Sequence, residues 1–304
     1  GYMTGAIFVM AISAYYMLRR QDLQFARSSF RLAAVFGMIA TLMTIQMGDE
    51  SGYLVTKDQP TKIAAMEAIW ETHEAPAPLT LFAIPDEAAQ TNHAQIDVPW
   101  LFGLMGTRSL STEIPGIKEL TAQAEQRIVN GQKAIGVLEQ LRKDPANEQL
   151  REQFLAVRDD LGFGLLLKRY TNDVNAATPE MIKQAAADTI PSVTPMFWSF
   201  RIMVGSGLAM ALVFVLGLFY SFRNEIAEKA WYLRLAVLAL PLPWIASEAG
   251  WFVAEYGRQP WTIYNVLPTH LSVSALTAGD VAGSLLGFGV LYTALLVVEM
   301  WLIH

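Results

Sequence analysis

The chain contains no cysteine, which removes disulfides, thiolate metal sites, iron-sulfur clusters and c-type haem attachment together. Histidine is scarce: His73, His93, His270 and His304 are the whole set, none lies in the middle of an apolar run, and no His-His haem pair fits within the chain. Any iron would have to be held by His, Met or a carboxylate. Charge is sparse too, with 16% charged against 53% hydrophobic residues over 304 positions, far more apolar than a soluble domain. No internal period of about 20 to 50 residues is visible, which argues against a solenoid or an inverted-repeat transporter.

What is present is a set of apolar runs. Residues 1–18, 32–48, 202–222, 235–256 and 281–298 form five candidate transmembrane helices of roughly 20 residues each. Pro241 and Pro243 should bend the fourth. The expected fold is all-α: a polytopic transmembrane helix bundle with a large extracytoplasmic, mostly helical loop domain. The division is two membrane helices in 1–48, the loop domain in 49–195 and three membrane helices in 196–304. The loop carries 13 Lys+Arg against 21 Asp+Glu, more than the whole formal charge of -6, so neither nucleic acid nor an anionic membrane surface is suggested as a partner. The short segments 19–31 and 223–234 hold Arg19, Arg20, Arg27, Arg31, Arg223, Lys229 and Arg234 and belong inside, which puts 49–195 outside. The first run lacks a basic start and a small-residue cleavage site, so it is not a signal peptide. It is already under way at Gly1, and further sequence is expected upstream.

Within the loop, 49–115 is rich in proline and turns apart from a helical candidate at 61–71. The remainder reads as helix. Ile117, Leu120, Ala124 and Ile128 recur at helical spacing, as do Leu150, Phe154 and Leu161, and Thr178-Pro179-Glu180 has the form of a helix start.

The chemistry concentrates elsewhere. At about 100° per residue, Trp244, Glu248, Trp251, Phe252 and Glu255 share one stripe of the fourth apolar helix. Acids there are costly and usually face a bundle interior, a polar cavity or a cofactor, although pairing with a neighbouring helix is the simpler alternative. Arg258 follows Glu255 at i+3, within ion-pair reach. In FRIMVGSG, Met203 could serve as an axial haem ligand or merely fill the core, and Gly205 and Gly207 would let a flat ring approach. Arg201 needs an anion, for which a haem propionate, a lipid phosphate or a nearby acid would serve. Lys62 and Glu67 lie about 140° apart on an ideal helix and should not pair with each other. They could be a solvated face, or they could hold a lipid-quinone headgroup, with Lys62 as donor and Glu67 as proton acceptor.

These segments together resemble subunit I of the cytochrome bd-type ubiquinol oxidases, long-loop subfamily. The resemblance runs through GDESGY at 48–53, TKIAAMEAIWE at 61–71, GLLLKRYT at 164–171, FRIMV at 200–204, PLPWIASEAGWFVAEYGRQPW at 241–261 and LTAGD at 276–280. It implies two b haems and one d haem, oxidation of ubiquinol on the outer side, reduction of O2 to water and a contribution to the proton gradient. It implies that Met203 ligates the low-spin haem b iron and Glu255 the high-spin haem b iron. Trp251, Arg201 and Arg258 would lie beside haems, and Glu248 would be a further acid for protons or packing. Lys62 and Glu67, with Asp49 less directly, would bind quinol. Subunit II and small accessory membrane subunits would be partners in a bacterial inner membrane, with the loop periplasmic. The family carries about four further helices upstream, with the His opposite Met203 and the d-haem ligand, so this sequence matches roughly its C-terminal two-thirds. Two competing readings are a proton-coupled transporter using Glu248 and Glu255 and a membrane-anchored binding domain.

Overall fold

The computed structural model describes residues 1–303; His304 lies outside them. Helix α1 (Tyr2–Leu18) leads through a tight turn into α2 (Leu23–Asp58), and α3 (Pro60–Met66) follows. The last polar turns of α2 continue past the apolar run, and the helix stops at Gln59 because the residue before a proline is pushed out of helical geometry. Pro60 then starts α3, where its missing N–H costs nothing.

A hairpin of β1 (Leu79–Asp86) and β2 (Thr91–Val98) follows, antiparallel with two irregularities in register. It was not legible as strands, since prolines flank and interrupt it and no tight-turn dipeptide joins its arms. Then come α4 (Ile117–Lys143), α5 (Glu148–Val157), α6 (Leu161–Leu166) and α7 (Pro179–Ala187). Ile117, Leu120, Ala124 and Ile128 form the buried stripe of α4 as their spacing predicts. Thr178 caps α7 through the Met181 N–H, with Pro179 in the first turn.

The long α8 (Val193–Phe222) returns through the membrane part, followed by α9 (Ala230–Leu238), α10 (Leu242–Tyr256), a small pair β3 (Trp261–Ile263) and β4 (Leu267–Pro268), and α11 (Ala278–Ile303). Pro241 and Pro243 do more than bend a helix. The α-helical hydrogen-bond ladder is interrupted between α9 and α10, where Ala239 and Pro241 keep right-handed helical dihedrals, and both prolines sit at the start of α10, where no N–H is required.

Among the described residues four helical stretches, not five, are long and apolar enough to span a bilayer: Leu23–Asp58, Val193–Phe222, Ala230–Tyr256 and Ala278–Leu302. The first expected run forms α1, a shorter apolar helix of 17 residues. One core joins α1, α2, α8 and α9 around Met10, Phe30, Phe214 and Tyr232. A second packs α3 and β1 against α8 and α10, and a third lies under α4, α6 and α7 around Trp261. Helix α11 is exposed along its described length.

Candidate functional site

The short α3 is the element that gathers the polar side chains, and five of its seven residues are buried, Lys62 among them. The helical candidate 61–71 ends at Met66 because Ala68 adopts a left-handed φ of 52° and turns the chain away. Glu67 therefore sits just past the helix end. Gly257, at the end of α10, lets the two elements meet: a Cβ there would lie 2.5 Å from Met196 Cε and 3.0 Å from Lys62 Cγ. Lys62 Nζ donates to the Ala254 carbonyl at 3.1 Å. Burial, then the Arg258 charge, lowers the Lys62 pKa, while Glu255 opposes.

Glu67 is 3% exposed and accepts a hydrogen bond from Arg201 Nη2 at 2.8 Å. The anion that Arg201 needs is thus a nearby acid, 134 positions away in sequence. The same guanidinium donates to the carbonyls of Met66 at 2.6 Å, Phe197 at 3.4 Å and Thr80, and it lies over the Phe197 ring. As expected, Lys62 and Glu67 do not pair with each other. Burial raises the Glu67 pKa from 4.5 to about 7, with Arg201 pulling the other way.

The hairpin completes this clamp. Asn92 donates to the Ala68 carbonyl at 2.9 Å and accepts from Trp70 Nε1 at 2.8 Å, while Thr80 of β1 supplies the carbonyl to Arg201. Sequence reasoning missed Thr80, Asn92, Trp70 and Gly257. Two of those contacts use backbone carbonyls, which residue type does not encode.

Removing one partner of a buried pair leaves the other charge uncompensated, at a cost of about 3–5 kcal/mol. Arg201→Met should therefore destabilise the protein by that order at pH 8, read by thermal unfolding in detergent. The Glu67 pKa is raised on folding, so its stabilising contribution is full below 4.5 and lost as pH rises through about 7. The penalty of Arg201→Met should accordingly shrink at pH 5.5, where Glu67 is protonated; an equal penalty at both pH values would refute the pairing as its cause.

On the membrane side, Met203 Sδ lies 3.0 Å from where a Gly250 Cβ would stand, so it packs on α10. The α10 stripe is largely open. Trp244, Glu248 and Trp251 are exposed and Glu255 is half-exposed, whereas Phe252 turns inward and stacks on Tyr256 at 4.7 Å. Glu255 pairs with Arg258. Asp49 stands apart, paired with Arg108 at 3.4 Å rather than with Lys62 or Glu67. A cavity of about 220 Å³ lies beside α3, lined by Tyr53, Lys57, Pro60, Ile63, Thr107 and Glu113 among others.

These residues suit a haem. Arg201 Nε and Arg258 Nε are buried without a partner among the described residues, which leaves two N–H donors for carboxylates such as propionates. A Cβ at Gly205 or Gly207 would meet nothing within 4 Å, leaving room for a flat ring. Among the described residues no three His, Asp or Glu converge, so iron here would depend on a macrocycle for most of its ligands.

The profile of cytochrome bd terminal oxidase subunit I matches residues 1–304. The chain is 43% identical over 304 residues to the cytochrome bd-II ubiquinol oxidase subunit 1 of Escherichia coli K12, covering 100% of this chain and 59% of that protein. It is 30% identical to the cytochrome bd ubiquinol oxidase subunit 1 of Bacillus subtilis 168, covering 96% and 51% respectively. Among solved structures, the bd oxidase of Geobacillus thermodenitrificans shares the fold with a TM-score of 0.61 at 22% identity, over 97% of this chain and 52% of that one. The chain thus spans between half and three-fifths of the length of these relatives.

Proposed function

Since the chain belongs to the cytochrome bd terminal oxidase subunit I family, we propose that it is part of the haem-bearing, ubiquinol-oxidising subunit of a terminal oxidase in a bacterial inner membrane. The observation that carries this reading is the buried Glu67–Arg201 pair, which fastens the loop segment to α8 two residues before Met203. Quinol oxidation releases protons as well as electrons. A carboxyl held near neutrality in a buried setting can accept a proton at working pH, and Lys62, on the short helix that Glu67 follows, can donate to a quinol oxygen. The cavity beside α3 touches that helix at Pro60 and Ile63, while neither Lys62 nor Glu67 lines it, and Asp49 would be a third residue of the quinol site.

Met203 would ligate a low-spin b haem and Glu255 a high-spin b haem, with Arg201 and Arg258 on their propionates and Trp251 alongside. Bound haem, b and d type together, supplies one-electron carriage and the reduction of O2. Glu248 is the further acid on the same exposed face, able to hold a proton there. Segment 49–195 lies on the periplasmic side, where its protons are released, and subunit II with small accessory subunits covers exposed faces such as α11.

Reduced-minus-oxidised spectra of the intact complex purified from membranes test this directly. Bands of b and d haems are expected, and Met203→Leu should remove the low-spin b component alone. A wild-type preparation with neither type of band would overturn the proposal.

A further inference from the structure

The acidic whole-chain balance conceals a basic end. Opposite α3, the turn between α1 and α2 and the turn between α8 and α9 come together, and segments 19–31 and 223–234 carry seven Arg and Lys against three acids. Between them lies a cavity of about 430 Å³ lined by Leu23, Gln24, Arg27, Ser28, Arg31, Ser221, Asn224 and Ile226. No carboxylate lines it. Among the described residues neither Arg27 nor Arg31 has an acid within 4.0 Å, although Arg201, Arg258, Arg108, Arg127 and Arg169 all do.

Two further observations point to a ligand. Ser221 is 5% exposed, lines this cavity, and has a buried hydroxyl with no hydrogen-bond partner among the described residues. Arg27 and Arg31 are one helical turn apart near the start of the 36-residue α2, so both guanidinium groups and the positive end of the helix address the same space. The walls also continue into apolar surface. Arg31 lies over the Phe222 ring at 5.0 Å, and Phe222 is exposed at the end of α8, where it would flank an acyl chain.

We infer that this cavity binds the phosphate headgroup of an anionic phospholipid, held by Arg27 and Arg31 and by the hydroxyls of Ser28 and Ser221, with its chains along α2 and α8. Arginine forks match phosphate oxygens, and a polar cavity that opens onto an exposed aromatic ring fits an amphiphile better than a free anion.

Native mass spectrometry of the intact purified complex, titrated separately with phosphatidylglycerol, phosphatidylcholine and inorganic phosphate, tests the assignment. Phosphatidylglycerol should be retained and phosphatidylcholine should not. Retention should fall by about tenfold or more in Arg27→Gln/Arg31→Gln, and less in Ser221→Ala. The charge-matched Arg19→Gln/Arg20→Gln control, at the same end but outside the cavity, should retain the lipid. Equal loss in that control would reduce the effect to the general basic field and overturn the site. Displacement of the lipid by millimolar inorganic phosphate would reassign it to a soluble anion, and equal retention by wild type and Arg27→Gln/Arg31→Gln would remove it altogether.

Discussion

Glu67→Gln should lower quinol-dependent oxygen uptake of the intact oxidase by about 10²-fold or more, the usual weight of a positioned proton acceptor. The substitution keeps the shape of the side chain and can still accept from Arg201, so the clamp around Met66 and Thr80 survives while the basic oxygen is lost. The pH dependence separates this from simple damage. An acceptor must be deprotonated, and burial has raised Glu67 to about 7, so uptake should climb as pH rises through that value and level off above it. In the variant the climb should vanish. A profile that keeps its rise through pH 7 in Glu67→Gln would show that another group takes the proton.

The second large effect is compositional. Glu255→Ala should leave the complex one haem short, seen as loss of the high-spin b signature, while quinol binding stays measurable. The geometry explains why the loss should be confined. Glu255 and Arg258 are both more than one-third exposed, and a pair of that kind contributes only about 0–1 kcal/mol. Loss of the ion pair itself should therefore cost little, and any fall in melting temperature should track the missing haem. Lys62 is anchored on the Ala254 carbonyl rather than on the Glu255 carboxylate, so α3 keeps its seat. Unchanged haem content after Glu255→Ala would exclude that residue as a ligand.

Periodicity served well where burial follows a single helix face. The α4 stripe, the Thr178 cap and the separation of Lys62 from Glu67 all follow from local geometry, and the apolar runs located the spanning helices apart from the short first one. The hairpin eluded it because prolines and irregular register blur the alternation of β1. The partner of Arg201 was legible only as a requirement for some anion. Identifying Glu67 as one such anion needed the fold, since the two residues lie 134 positions apart. The acid stripe of α10 was legible as costly, and its exposure among the described residues leaves that cost to be met by something beyond this chain segment.

The manner in which Arg201 is held bears on turnover. Its guanidinium is fixed by three backbone carbonyls, those of Met66, Phe197 and Thr80, in addition to the Glu67 carboxylate. When Glu67 takes up a proton, one electrostatic attraction weakens but the three carbonyl bonds do not. Under the role proposed for Glu67, the charge of the site would alternate while its atoms stay where they are, with little rearrangement of the surroundings at each step.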